Sequence, residues 1–204
     1  MDSYVVFDLE TTGFSQHTDE IIDIGAWKFK DGVKVDEFST LIKPQRGIPY
    51  RIQTLTHITN DMVADAPSIA EVISGFVDFC RGSYLLGHNL GFDYRFMKEN
   101  CTRFSLDFTD EGLRAGIDTM GLARKFYNFD NNRLETLISK FNLEGVCQSK
   151  DLHRAKVDAY MTHLVYQKML SEYGNIIEFN TPYLLEDKRR LVTDVKDCDS
   201  FSFN

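Results

Sequence analysis

Short apolar runs rich in β-branched and aromatic residues recur along the chain, and each predicts a buried strand. The first such run covers residues 5–9. Residues 21–29 and 33–42 predict two further strands, joined by a tight turn at Asp31-Gly32 that is typical of a β-hairpin. Shorter strands are predicted at residues 84–87 and 116–118.

Amphipathic stretches predict the helices. Ser68 follows Pro67 and opens a helix whose apolar face is Ile69, Val72, Ile73, Phe76 and Val77. Further helices are predicted at residues 91–101, 119–127, 134–141 and 153–171, and loops at residues 44–49, 54–60 and 142–151. This order predicts an α/β fold with one mixed β-sheet flanked by α-helices.

Composition narrows the class of protein. A length of 204 residues suits one substantial domain, and 43% hydrophobic residues exclude a mainly disordered chain. The net charge of -8 argues against broad, nonspecific coating of a duplex, although an enzyme that grips a few nucleotides remains compatible with it.

The spacing of the cysteines and the first residues of the chain indicate the cellular compartment. The four cysteines are scattered without a CxxC pair, which suggests neither a zinc site nor a disulfide framework. The chain opens without a basic segment, and no apolar stretch has the length of a membrane-spanning helix. We therefore expect a cytoplasmic protein with reduced thiols and no membrane partner.

Two carboxylates end the first strand. Asp8 and Glu10 are two residues apart, so their side chains point to the same face of the sheet. Burying paired like charges is unfavourable unless a positive group joins them. A divalent cation is the simplest such partner, because carboxylate oxygens suit Mg²⁺ and Mn²⁺.

Two later segments carry further acidic residues. Asp93 falls in the first turn of a predicted helix that follows His88-Asn89, where an aspartate ordinarily caps the helix or favours its dipole. Asp158 follows His153 near the start of the last predicted helix. The small residues Ala155 and Ala159 suggest that this helix packs closely on the sheet, from where Asp158 could reach a site above it.

Together these segments resemble, in order, the three exonuclease motifs of the DnaQ-like family with histidine in the third motif (the DEDDh class), which includes the proofreading ε subunit of bacterial DNA polymerase III. The matching segments are Asp8–Gly13, His88–Asp93 and His153–Ala159. The likeness covers about residues 3–170. It implies an RNase H-like sheet in an exonuclease domain over residues 1–174, with residues 175–204 as a C-terminal extension of unknown role.

The resemblance implies a metal site and a base. Asp8, Glu10, Asp93 and Asp158 would hold two divalent metal ions, Mg²⁺ or Mn²⁺, with Asp8 bridging them and Asp93 acting partly through water. His153 would take a proton from the attacking water. Because four neighbouring carboxylates repel one another, at least one of their pKa values should be raised before metals bind.

Substrate contacts are implied at five positions. Thr11 and Thr12 would touch the terminal nucleotide. Asn89 either orients the second motif or binds the strand. Phe92 either stacks on a base or sugar, or is a core residue beside Phe96. His57 stands where the family usually has glycine, in a loop beside the terminal nucleotide, so it either alters substrate preference or points to solvent.

The predicted function is 3′→5′ exonuclease activity on single-stranded or frayed DNA ends, in proofreading or repair. Relatives with the same motifs degrade RNA, and no motif recognises the 2′-hydroxyl, so an exoribonuclease is the alternative. A non-catalytic module that binds nucleic acid or a polymerase is less favoured, because the set of five catalytic residues is intact. The extension either docks on a DNA polymerase or sliding clamp, or forms an edge strand or a frayed tail.

Overall fold

One mixed six-stranded sheet, in the order β3-β2-β1-β4-β5-β6, organises the protein. The computed structural model describes residues 3–106, 108, 115–146, 153–180 and 183–184. The strands are β1 (Ser3–Thr11), β2 (Ile21–Lys30), β3 (Val33–Leu41), β4 (Tyr84–Gly87), β5 (Ala115–Asp118) and β6 (Tyr183–Leu184). The helices are α1 (Tyr50–Thr56), α2 (Ile69–Cys80), α3 (Leu90–Arg103), α4 (Thr119–Phe126), α5 (Leu134–Lys140) and α6 (Ala155–Asn180).

Strand β1 lies inside the sheet and has one antiparallel and one parallel neighbour. It pairs antiparallel with β2 and parallel with β4, which in turn pairs parallel with β5. In the β1–β2 register, Asp8 lies opposite Gly25 and Glu10 lies opposite Asp23. Directly opposed residues project from the same face of a sheet, so these four positions share one face.

The two faces of β1 are covered by different helices. Val5, Phe7 and Leu9 belong to a core with α2 and α3, where the Phe7 and Phe76 rings lie 5.5 Å apart. Tyr4 and Val6 belong to a second core with α4, α5 and α6. Asp8 and Glu10 continue this second row, so the alternation that buries Val6 also directs both carboxylates towards the face that α6 covers.

The predicted hairpin and most predicted helices are confirmed. The turn between β2 and β3 has positive φ at Asp31 and Gly32, 50° and 78°, as expected for a two-residue hairpin turn. Ser68 begins α2, and its backbone N–H donates to the Glu71 carboxylate at 2.7 Å.

Two predicted boundaries are wrong. Helix α1 occupies Tyr50–Thr56, part of which was predicted as loop, because Ile52 packs into a small core with Ile22 and Ile58. Helix α6 begins at Ala155 rather than at residue 153, because His153 has φ 66°, and it continues past residue 171 with a kink at Tyr173.

The C-terminal extension contributes an edge strand, which is one of the forms expected for it. Tyr183–Leu184 pairs antiparallel with β5 as an edge strand. Residues 185–204, and with them the predicted docking segment, lie outside the described residues. The boundary between residues 174 and 175 stays a prediction. Cys80 and Cys101 are buried, and Cys147 and Cys198 lie outside the described residues. No helix in the described ranges is long and apolar enough to cross a membrane.

Candidate active site

Three of the predicted carboxylates converge at the carboxyl end of β1. One oxygen each from Asp8, Glu10 and Asp158 lies within 4.8 Å of the others. Asp158 comes from the first turn of α6, which approaches β2 very closely. A Cβ at Gly25 would lie 2.0 Å from the backbone nitrogen of Lys156, so this approach requires glycine there.

The fourth carboxylate, Asp93, lies beside this group rather than in it. Asp93 is in the first turn of α3 and is 3% exposed. Its Oδ1 accepts a hydrogen bond from the backbone N–H of Leu9 at 3.1 Å. This bond fixes α3 against the strand that carries Asp8 and Glu10.

Burial raises the pKa of all four carboxylates, and repulsion among them adds to the rise at Asp8 and Glu10, as expected. Burial raises the pKa of Asp8 well above its usual range, and the charges of Asp93, Asp158 and Glu10 add to the effect. Burial, then Asp158 and Asp23, raise the pKa of Glu10 to about 8. Burial raises the pKa of Asp158 to about 7, opposed by a hydrogen bond from the His153 backbone. The pKa of Asp93 is raised mainly by burial.

The donor set fits a divalent cation. Asp158 Oδ1 is buried and has no hydrogen-bond partner among the described residues. A buried carboxylate oxygen without a partner is unfavourable unless a proton or a cation joins it. Since all the converging donors are carboxylate oxygens, the group suits hard cations such as Mg²⁺ or Mn²⁺.

His153 is held by its backbone, while its ring lies at the edge of the site. Its backbone N–H donates to Asp158 Oδ2 at 3.1 Å. The ring Nε2 lies 3.9 Å from a carboxylate oxygen of Glu135 on α5, and the side chain is 37% exposed. The imidazole is therefore accessible from solvent, and its backbone N–H joins it to Asp158 of the three converging carboxylates.

The threonines of the first motif shape the loop that follows β1. Both side chains are buried. The Thr11 hydroxyl donates to the carbonyl of Gly13, and the Thr12 hydroxyl accepts from the backbone N–H of Glu20 at 2.9 Å. Their predicted contact with the terminal nucleotide stays a prediction.

An exposed aromatic residue next to the site was missed. Phe14 is 75% exposed, and its ring lies 6.4 Å from that of Phe92. Phe92 also contacts Phe96 at 5.0 Å, so it joins the core on one side and Phe14 on the other. The signal in the sequence was a single aromatic residue within the polar loop after Thr12-Gly13.

Two other predicted contact residues adopt left-handed backbone conformations. Asn89 has φ 62°, and its N–H donates to Asp118 Oδ1 at 2.8 Å. Asparagine tolerates this conformation, which explains its place before α3. His57 has φ 58° at the end of α1 and is exposed. Glycine is the usual residue for such a helix end, so the conformation explains the family's preference there.

Arg154 has a partner that the sequence did not predict. Its Nε lies 3.1 Å from Asp23 Oδ2, and the Asp23 side chain is 3% exposed. Sequence spacing gave no signal for this pair, because the two residues are 131 positions apart.

Known proteins resemble the chain in both sequence and structure. The family model described as Exonuclease matches residues 5–166. A PolC-type DNA polymerase III of Clostridium perfringens is 39% identical over 186 residues, which cover 90% of this chain but 13% of that protein.

Two solved structures share the fold. Exonuclease X in complex with 5′-overhanging duplex DNA has a TM-score of 0.63 and 28% identity, covering 85% of this chain and 93% of that one. The zinc-bound exonuclease I of E. coli with single-stranded DNA has a TM-score of 0.78 and 16% identity, covering 88% of this chain and 43% of that one. These similarities confirm the DnaQ-like resemblance and the RNase H-like sheet.

Proposed function

Because the chain belongs to the exonuclease family over residues 5–166, we propose that it is a metal-dependent 3′→5′ exonuclease acting on single-stranded or frayed DNA ends. Its products would be nucleoside 5′-monophosphates. The observation that carries this proposal is the convergence of Asp8, Glu10 and Asp158 within 4.8 Å, with Asp158 bonded to the backbone of the partly exposed His153.

Each residue has a proposed role. Asp8, Glu10 and Asp158 would hold the cations, and Asp93 would support them from α3. Two bound divalent ions would supply Lewis acidity, a lowered pKa of water and charge stabilisation at phosphorus. The described residues around the cluster exclude bulk water from Asp93 and Asp158, which are 3% and 9% exposed.

His153 would accept the proton of the attacking water, and its loss should affect turnover rather than metal binding. In His153→Asn, the new residue tolerates the left-handed backbone and keeps the N–H bond to Asp158. We expect kcat to fall about 10²–10³-fold, because a general base contributes on that order. Steady-state kinetics and calorimetric Mn²⁺ titration would test this.

A second exposed histidine provides the control for that variant. His17 is 67% exposed, and its Nδ1 lies 3.1 Å from a carboxylate oxygen of Glu99 on α3. His17→Asn should leave kcat within about threefold, since His17 belongs to none of the three motifs. A His153→Asn enzyme with full kcat would refute the base assignment.

The Phe14–Phe92 pair would stack on bases near the 3′ end. Phe14→Ala should raise KM for an oligonucleotide about 10-fold and leave kcat nearly unchanged, because base–aromatic stacking contributes about 1–3 kcal/mol per base. Phe104→Ala removes another exposed aromatic residue, 39% exposed, from the far end of α3 and serves as the control. Equal KM values for both variants would remove Phe14 from the substrate site.

DNA is the proposed polymer because the similar polymerase and exonuclease X are DNA proteins by name. The alternative is a 3′→5′ exoribonuclease, since no described contact selects against a 2′-hydroxyl. The test is release of 5′-monophosphates from 3′-labelled DNA and RNA of equal sequence with Mn²⁺, with Asp8→Ala as the control. Faster release from RNA would favour the alternative.

The biological partner is also a proposal. The chain spans 13% of the polymerase it resembles, so we propose that it works with a DNA polymerase or sliding clamp in replication or repair. The converging carboxylates argue against a non-catalytic binding module. A cytoplasmic location remains a prediction. Deleting residues 175–204 and assaying polymerase capture would test whether the extension supplies the contact.

A further inference from the structure

Asp23 is a buried carboxylate that the proposed chemistry does not use. It is 2% exposed and lies opposite Glu10 in the β1–β2 register. It is not one of the three converging ligands. Instead its Oδ2 lies 3.1 Å from Arg154 Nε. Burial raises the pKa of Asp23, while Arg154 and a hydrogen bond from the backbone of Ala155 oppose that rise.

Both partners of Asp23 stand at the start of α6. Arg154 directly follows His153, and Ala155 is the first residue of the helix. A carboxylate at this position also interacts favourably with the positive end of the helix dipole. Asp158, one turn along the same helix, reaches Asp8 and Glu10. The Asp23–Arg154 ion pair therefore joins β2 to the segment that carries two of the proposed site residues.

The packing of α6 on β2 leaves little freedom next to this ion pair. Gly25 is two residues from Asp23 on the same face of β2, and a Cβ there would lie 2.0 Å from the Lys156 backbone nitrogen. Gly25 determines the distance between α6 and β2. The Asp23–Arg154 ion pair determines which residues of α6 contact β2.

A contribution to folding stability does not by itself explain why a charged residue is buried at position 23. A buried ion pair is often no more stabilising than apolar residues of the same volume. Here the carboxylate also adds negative charge next to the site, because Asp23 lies directly opposite Glu10 in the β1–β2 register. The Asp23 carboxylate therefore adds repulsion to the metal-free site while it holds the first turn of α6. A role in positioning that turn explains both properties better than a role in stability.

We infer that Asp23 and Arg154 are positioning residues that seat the start of α6 on β2, so that Asp158 and His153 meet Asp8 and Glu10. The role rests on the proposed exonuclease function. It differs from a phosphate contact by Arg154, which would act on substrate affinity.

Two variants separate positioning from stability. Arg154→Ala leaves Asp23 buried without its partner, so both stability and turnover should fall. The double variant Asp23→Asn/Arg154→Ala removes the buried charge, so its melting temperature should recover relative to Arg154→Ala. Its kcat should stay about 10²-fold below wild type, because displacement of catalytic groups by about 1 Å has effects of that size. KM should change by less than about threefold in both variants.

The outcomes decide between the alternatives. Recovery of kcat together with melting temperature would overturn the positioning role, and so would a loss confined to KM. Lys156→Ala is the matched control, because Lys156 is a cation in the same turn that pairs with Glu37 at 2.7 Å on the surface. Its kcat should stay within about threefold of wild type.

Hydrogen exchange tests the same inference without any activity. The backbone N–H groups of His153, Val157 and Asp158 have acceptors at 2.8–3.1 Å. In Arg154→Ala, exchange should accelerate by at least about tenfold in residues 153–158 but not in residues 161–170. Unchanged exchange would overturn the inference. A wild-type protein without nuclease activity would instead overturn the proposed function, and exchange would still decide the role of the ion pair.

Discussion

Replacing Asp8 with asparagine is expected to abolish measurable turnover and, at the same time, to stabilise the metal-free protein. Asparagine keeps the shape of the side chain but removes a negative charge from the converging ligands. Loss of a metal-binding carboxylate should lower kcat on the order of 10³-fold or more. Burial and four neighbouring carboxylates raise the pKa of Asp8, so folding without metal requires proton uptake that asparagine does not need.

This prediction is specific because turnover should fall while the stability of the metal-free protein should rise. In EDTA at about pH 8, the free energy of unfolding of Asp8→Asn should exceed that of wild type. Asp36→Asn provides the control, because Asp36 is an exposed carboxylate on β3. A variant that loses activity and also unfolds more easily without metal would show that Asp8 is structural.

The pH dependence of stability should change sign when metal binds. The pKa of Glu10 is raised to about 8 and that of Asp158 to about 7. Above the pKa values of the unfolded chain, about 4, the folded metal-free protein therefore holds more protons than the unfolded one. Its free energy of unfolding should rise by about 2–4 kcal/mol as pH falls from about 8.5 to about 6.5.

A buried histidine sets the lower pH limit of this gain in stability. Burial lowers the pKa of His163 to about 4. Below about pH 6.5, the unfolded chain therefore binds a proton that the folded protein does not, which removes stability. With saturating Mn²⁺, cations compete with protons, so stability should instead increase as pH rises. Urea titrations with EDTA or Mn²⁺ would measure both slopes, and equal slopes would refute cation binding at these carboxylates.

Local periodicity predicted most of the fold. The apolar run predicted β1, whose two-residue period directs Asp8 and Glu10 to one face, and the polar turn at Asp31-Gly32 marked the hairpin. Helix α1 was not predicted because its seven residues bury only Ile52 and Thr56, and neighbouring isoleucines stabilise it through contacts distant in sequence. A two-residue strand such as β6 has no periodicity to detect.

The sequence identified which residues form the site, but it did not predict the distances between them. Three motifs identified the carboxylates, whereas their separation depends on how closely α6 approaches Gly25. The pair of Asp23 and Arg154 joins segments 131 positions apart, so no local pattern indicates it. The left-handed backbone at His153 follows from packing around the start of α6, and it explains why the helix begins later than expected.

The direction of degradation tests the central claim most directly. A 5′-labelled single-stranded DNA oligonucleotide, incubated with Mn²⁺, should give labelled fragments that shorten one nucleotide at a time while the label stays on the polymer. EDTA or Asp8→Asn should stop the reaction. Immediate release of the label as a mononucleotide would contradict 3′→5′ polarity, and shortening that continues in EDTA would contradict the metal-dependent mechanism.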